Sequence, residues 1–168
     1  GGAPSAGRGP SRGGRGRSVD EFQMREHAEA YCEHVRGLKL RMESAKAAYE
    51  EARGASDGIK GIRYDKIGGC SVVVHGDDAM AATVERLAKT GDRMAESIAE
   101  WAREVEAFDA LCAQLPSQSA YVLEMRYRNG ASWGEIADRL RYSPAYVRGT
   151  IRSRALLELY QIMPLSLK

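Results

Sequence analysis

Two arginines four residues apart, Arg148 and Arg152, stand in a short segment opened by Ser143-Pro144. On a helix both would project from one face. A guanidinium is the side chain best matched to the O6 and N7 acceptors of guanine, which it meets with two parallel hydrogen bonds. Arg152 suits a phosphate equally well. Tyr146 offers a ring and a hydroxyl, fit for a thymine methyl or a phosphate, and Gly149 shares the same outward face. Arg139, Arg141 and Arg154 flank this group and suit phosphates, contacts that position a duplex without specifying its sequence. Ser132 and Ser143 open predicted helices, whose first N–H groups and hydroxyls can also meet phosphates. The chemistry in reach is therefore recognition of double-stranded DNA, with Tyr146, Arg148, Gly149 and Arg152 as base contacts. The phosphate contacts would be Ser132, Arg139, Arg141, Ser143 and Arg154. The simpler reading is that these arginines are only the solvated face of a small helical bundle.

Other chemistry is not expected. No nucleophile–base pair or cofactor loop has recognisable spacing, and the acids lie mostly on exposed helix faces. His27 and His34 are seven apart, too wide for a metal pair on one helix turn. Cys32, Cys70 and Cys112 fit neither a zinc site nor a disulfide framework. The glycines near residue 60 lack the Gly-Lys-Ser/Thr ending of a phosphate loop. The reading is a non-enzyme with no cofactor and no metal. Its thiols are expected to be reduced, in a cytoplasmic setting. No apolar run approaches a membrane span and no secretory leader is visible, so no membrane partner is expected.

Three short helices must position the arginines. Ser117 is placed to cap the first, with Tyr121, Val122, Met125 and Tyr127 inward, and Asn129-Gly130 ends it. Ser132 caps the second, and Glu135 three residues on completes a capping box. Trp133, Ile136, Ala137 and Leu140 face inward. Arg141-Tyr142 make the turn. Ser143 caps the third helix, 143–158, with Pro144 at the first position, where its missing N–H is harmless. Val147, Ile151 and Ala155 recur every four residues and face the core. That leaves Ala145, Tyr146, Arg148, Gly149 and Arg152 outside.

This stretch resembles region 4 of bacterial sigma factors. The resemblance is carried by Tyr121-Val-Leu-Glu-Met-Arg-Tyr, Gly130-Ala-Ser-Trp-Gly-Glu-Ile-Ala-Asp-Arg-Leu and Tyr142-Ser-Pro-Ala-Tyr-Val-Arg, about 45 residues. Glu135-Ile-Ala matches the hallmark of the first helix of the motif, where the small Ala137 lets the third helix approach. Arg141 departs from the pattern, which commonly has Gly at a left-handed turn. The arrangement is also similar to phage and prophage regulators that pair a coiled coil with a sigma-like domain. The resemblance implies sequence-specific control of transcription, with RNA polymerase as a further candidate partner.

Upstream, residues 1–17 hold seven Gly and four Arg and nothing to bury, so disorder is expected. A linker is the simpler account, a cationic arm for nucleic acid the functional one. Ser18 and Glu21 form a capping-box pattern at the start of a long helix. Apolar residues then alternate four and three apart: Met24, Ala28, Tyr31, Val35, Leu38, Met42, Ala45, Tyr49 and Ala52. That is a heptad seam. Gly54 is the expected stop. Residues 55–76 form a Gly-rich loop in which Ser71–Val74 have strand propensity. A second seam runs Met80, Val84, Leu87, Gly91, Met94, Ile98, Trp101, Val105, Phe108, Cys112 and Leu115, with Pro116 as the stop. Gly91 either admits a bulky residue opposite or marks a bend.

The net charge of +2 is unevenly spread. Residues 77–116 carry −5 and residues 117–168 carry +4. The expectation is an all-α chain: a long antiparallel coiled-coil hairpin over 18–116, then a three-helix helix-turn-helix domain over 117–168. Seams this regular also permit a homodimer through the coiled coil. Two other functions fit the pattern. One is docking on RNA polymerase or a sigma factor through the acidic helices. The other is a small-terminase-like subunit for DNA packaging.

Overall fold

The computed structural model describes residues 15–59 and 76–167, and all regular structure among them is helical. Two long helices, α1 (Arg15–Ile59) and α2 (Gly76–Cys112), come first. α3 (Ser117–Leu123) widens into a π turn at Glu124–Arg128, and α4 (Trp133–Leu140) follows. α5 (Pro144–Tyr146), a second π turn (Val147–Ile151) and α6 (Arg152–Ile162) make one continuous rod over 144–162.

α1 and α2 pack as an antiparallel hairpin. Tyr31 lies against Phe108, with ring centroids 6.3 Å apart. Tyr49, further along α1, meets Gly91, which comes earlier along α2. The seam of α1 is the face that is covered: Ala28, Tyr31, Val35, Leu38, Met42 and Ala52 are buried. Gly91 takes the first of its two expected roles, since a Cβ there would lie 3.5 Å from Tyr49 Cε2. Arg41–Glu100 and Arg86–Glu51 cross between the helices, but both pairs are exposed and contribute little. Burial fades along α2. Val105, Phe108 and Cys112 are buried, whereas Val84 and Met80 at the other end are 56% and 55% exposed.

Helix ends differ from the local signals in four places. α1 begins at Arg15, three residues before Ser18, so the capping-box pattern does not mark its start. It also runs through Gly54 to Ile59. A glycine costs about 1 kcal/mol of helix propensity against alanine but does not by itself break a helix. Here Ala52, two residues before Gly54, is buried. α2 stops at Cys112, short of Pro116, in a tight turn where Gln114 N donates to Leu111 O and Leu115 N to Cys112 O, each at 3.0 Å. The residue before a proline is disfavoured in helical geometry, so the helix gives way early. Pro116, not Ser117, then occupies the cap position of α3, and no side chain caps that helix. The Gly/Arg-rich tail up to residue 14 and the strand-like Ser71–Val74 lie outside the described residues.

The expected boundary at 116/117 is a change of helical pattern inside one packed body. The larger core joins Ala28, Tyr31, Cys32 and Val35 of α1 to Phe108 and Cys112 of α2, and to Leu123, Tyr127, Leu156 and Leu159 beyond. α1 thus buries two adjacent stripes, one on α2 and one on α6. This explains why Cys32, off the heptad seam, is fully buried. Burial pushes the Cys112 thiol up to about 12 and the Cys32 thiol well above its ordinary value, so both stay protonated and inert. A smaller core of Val122, Ile136, Ala137, Val147 and Ile151 holds the last helices to one another.

Gly91→Ala tests the hairpin packing. The new methyl would sit in ordinary contact with the Tyr49 ring while removing the helix penalty of glycine. Urea denaturation followed by circular dichroism should show a gain of about 1 kcal/mol. A loss would mean that the ring needs the bare backbone.

Candidate nucleic-acid interface

The capping box of α4 forms in both directions. Ser132 Oγ accepts from Glu135 N at 3.2 Å, and Ser132 N donates to Glu135 Oε2 at 2.7 Å. The backbone N–H and hydroxyl of Ser132 hold the Glu135 carboxyl below its ordinary pKa. Its share of the cap is therefore complete above the usual carboxylate range and is lost as pH falls through that depressed value. At the other end, Arg141 takes the left-handed conformation, φ 60° and ψ 40°, where the sigma-like pattern commonly has glycine. Tyr142 N then reaches back to Ala137 O at 3.0 Å. Ser143 Oγ accepts from Tyr146 N at 3.2 Å and Pro144 fills the first helical position. Ala137 is fully buried where α4 meets the rod. The result is a helix-turn-helix with both N-termini capped.

Within the rod, Val147, Ile151 and Ala155 are all buried, as their spacing predicts. Three residues at intervals of four would drift around an ideal α-helix of about 3.6 residues per turn. The π turn at Val147–Ile151 takes more residues per turn and cancels that drift. Ala145, Tyr146, Arg148, Gly149 and Thr150 are exposed on the opposite side. Tyr146 packs against Tyr142, ring centroids 5.1 Å apart, so the turn adds a second exposed aromatic to this outer face. Among the described residues Arg148 has neither a hydrogen-bond nor an ion-pair partner.

Arg152 follows Arg148 at the same four-residue interval and lines the same cleft, but it is not free on the outer face. Arg152 was expected on the outer face as a base contact, but it points to α1. There it forms an ion pair with Glu29, donates from Nε to Tyr127 Oη at 3.4 Å, and lies 5.9 Å from the centre of the Trp133 ring. Burial works against its charge, yet the Tyr127 hydroxyl and Glu29 outweigh it and hold the Arg152 pKa above its ordinary value. Burial in turn pushes the Tyr127 hydroxyl up to about 12, against the pull of Arg152.

The phosphate candidates separate as well. Arg139 and Arg141 are exposed beside the turn, and Arg139 donates to Met125 Sδ at 3.9 Å. Arg154 is exposed but tied to Gln118 and, at 3.9 Å, to Glu158, towards the start of α3. It does not join the others. Ser132 and Ser143 stand at the two helix starts with their hydroxyls engaged in the caps. Sequence reasoning missed Tyr142, Thr150 and Arg126. Arg126 lies over Trp133 at 5.0 Å and donates to Ala131 O at 3.1 Å. The four-residue interval between Tyr142 and Tyr146 was the available signal for the aromatic pair.

No helix among the described residues is long and apolar enough to cross a membrane. The chain matches no protein-family model, no curated protein and no solved structure.

Arg141→Gly separates folding from any role of the arginine. An L-residue in the left-handed region costs roughly 1–2 kcal/mol, partly offset by the greater freedom of glycine in the unfolded chain. The variant should gain about 1 kcal/mol in urea denaturation. No gain would show that contacts of the Arg141 side chain offset its strained backbone.

Proposed function

We propose that this protein is a sequence-specific DNA-binding transcription regulator of the sigma-region-4-like, phage-related kind. One observation carries the reading. A doubly capped helix-turn-helix presents Tyr146, Arg148 and Gly149 together on the exposed start of its third helix, and among the described residues Arg148 is uncommitted to any other group. The net +4 of residues 117–168, set against −5 on residues 77–116, supports approach of a polyanion to this end.

In this reading the start of the 144–162 rod enters the major groove. Arg148 meets guanine O6 and N7, and Tyr146 meets a thymine methyl or the adjoining phosphate. Arg139, Arg141 and the capped starts at Ser132 and Ser143 hold the backbone on either side. Arg152 and Arg154, committed to partners within the fold, are no longer assigned to bases or to this backbone track. One small reading head needs a second half-site or partner for tight binding, so the protein acts as a homodimer. The half-exposed Met80 and Val84, at the end of the α2 seam away from the core, support a coiled-coil contact with a second copy. RNA polymerase is a further partner only if the regulator works by recruitment.

Fluorescence anisotropy of the full chain with random duplex DNA across a salt series tests this. Wild type should bind with a steep loss of affinity as salt rises. Arg148→Ala should weaken binding about tenfold. Folded protein that does not bind at low salt would sink the DNA-reading function and favour a polymerase- or sigma-docking role.

A further inference from the structure

The cleft shared by Arg148 and Arg152 lies beside the proposed reading face. Glu29 and Glu33 of α1 form one side, and Arg126, Trp133, Arg148 and Arg152 the other. Trp133 and Arg148 also border the shallow groove on the reading face, with Pro144, Ala145 and Gly149. The two depressions share that wall, so the α1 acids stand just across it from the side chains assigned to DNA.

The cleft gathers three guanidiniums and two carboxylates. Each guanidinium carries five N–H donors in a fixed fork, more than the acids present can satisfy. Glu29 takes Arg152. Glu33, half-exposed, pairs with Arg36 on its own helix at 3.4 Å and leaves the cleft arginines to Glu29. Arg126 Nε is buried with no acceptor among the described residues. Carboxylates and phosphodiesters bind an arginine fork in the same two-pronged way, so one can replace the other there.

We propose that this cleft is a site for a backbone phosphodiester of DNA, and that in the free protein the Glu29 carboxylate occupies it, with Glu33 as a second negative charge at its edge. The proposal rests on the DNA-reading function given above. Engagement exchanges one anion for another on Arg152, so the guanidinium is never left bare. Displacing Glu29 opposes every duplex alike. A site that gives Arg148 its guanine overcomes that opposition, whereas random sequence does not. The long helix thereby lowers non-specific affinity and widens the gap between right and wrong sites.

The test compares full-length variants on random duplex DNA at about 0.15 M salt. Glu29→Gln/Glu33→Gln should bind at least about fivefold tighter than wild type. Glu33→Gln alone, which keeps the Glu29–Arg152 pair, should bind about twofold tighter, and it decides the matter if the double variant does not fold. Glu50→Gln/Glu85→Gln removes the same charge roughly 30 Å away along the hairpin, at about 1.5 Å per residue. That lies well beyond a screening length of about 8 Å, so its affinity should stay within twofold of wild type. Unchanged or weaker binding by the folded cleft variants, or an equal gain in the distant control, overturns the proposal. If Arg148→Ala still weakens binding in that case, the reading face stands and only the cleft falls. If no protein in the set binds duplex even at low salt, the DNA-reading function falls and the cleft with it.

Discussion

The burial of two neighbouring stripes on α1 is the constraint from which the other features follow. One stripe, through Ala28, Tyr31 and Val35, faces α2, while Cys32 beside it helps fill the space towards α6. A helix with one apolar seam could only have made a hairpin. With the second stripe, the hairpin and the 144–162 rod share a common core, and the exposed start of the rod acquires a fixed orientation to the long helices. Tyr127 and Leu156, each 1% exposed, are the side chains through which that orientation is transmitted.

The hairpin was legible because heptad periodicity is a direct imprint of burial. Every α1 seam residue from Ala28 to Met42 is covered. Capping chemistry was legible at two of the four expected starts: Ser132–Glu135 and Ser143–Pro144 do what their residue types dictate, whereas Ser18 lies inside α1 and Pro116 takes the cap position expected of Ser117. Helix ends were less legible, since Gly54 and Ser18 are weak local signals that continuing tertiary contact overrides. The sharing of one core by both halves could not be read, because periodicity says which face is buried and not against what.

Arg152 is the instructive failure at the site. Its four-residue interval from Arg148 does bring both arginines to one cleft, but the interval does not say what stands opposite them. Across the π turn Val147 and Ile151 face the smaller core, while Ala155 joins the larger one shared with α1. Glu29 of α1 and the Tyr127 hydroxyl stand against Arg152, so a side chain assigned to the outside is held within the fold. Arg141, by contrast, adopts the strained conformation its position in the turn demands despite being the wrong residue type, so the turn is fixed by its neighbours rather than by its own preference.

In the proposed DNA-reading function, the hairpin also has a size that bears on DNA. At about 1.5 Å per residue, the 45 residues of α1 extend roughly 68 Å, close to two helical turns of a duplex at about 34 Å each. α1 is therefore a ruler. Two copies joined side by side along it would hold their reading heads within about one turn of each other. Two copies joined tip to tip would hold them several turns apart. The spacing between operator half-sites would record which end of the ruler the copies share.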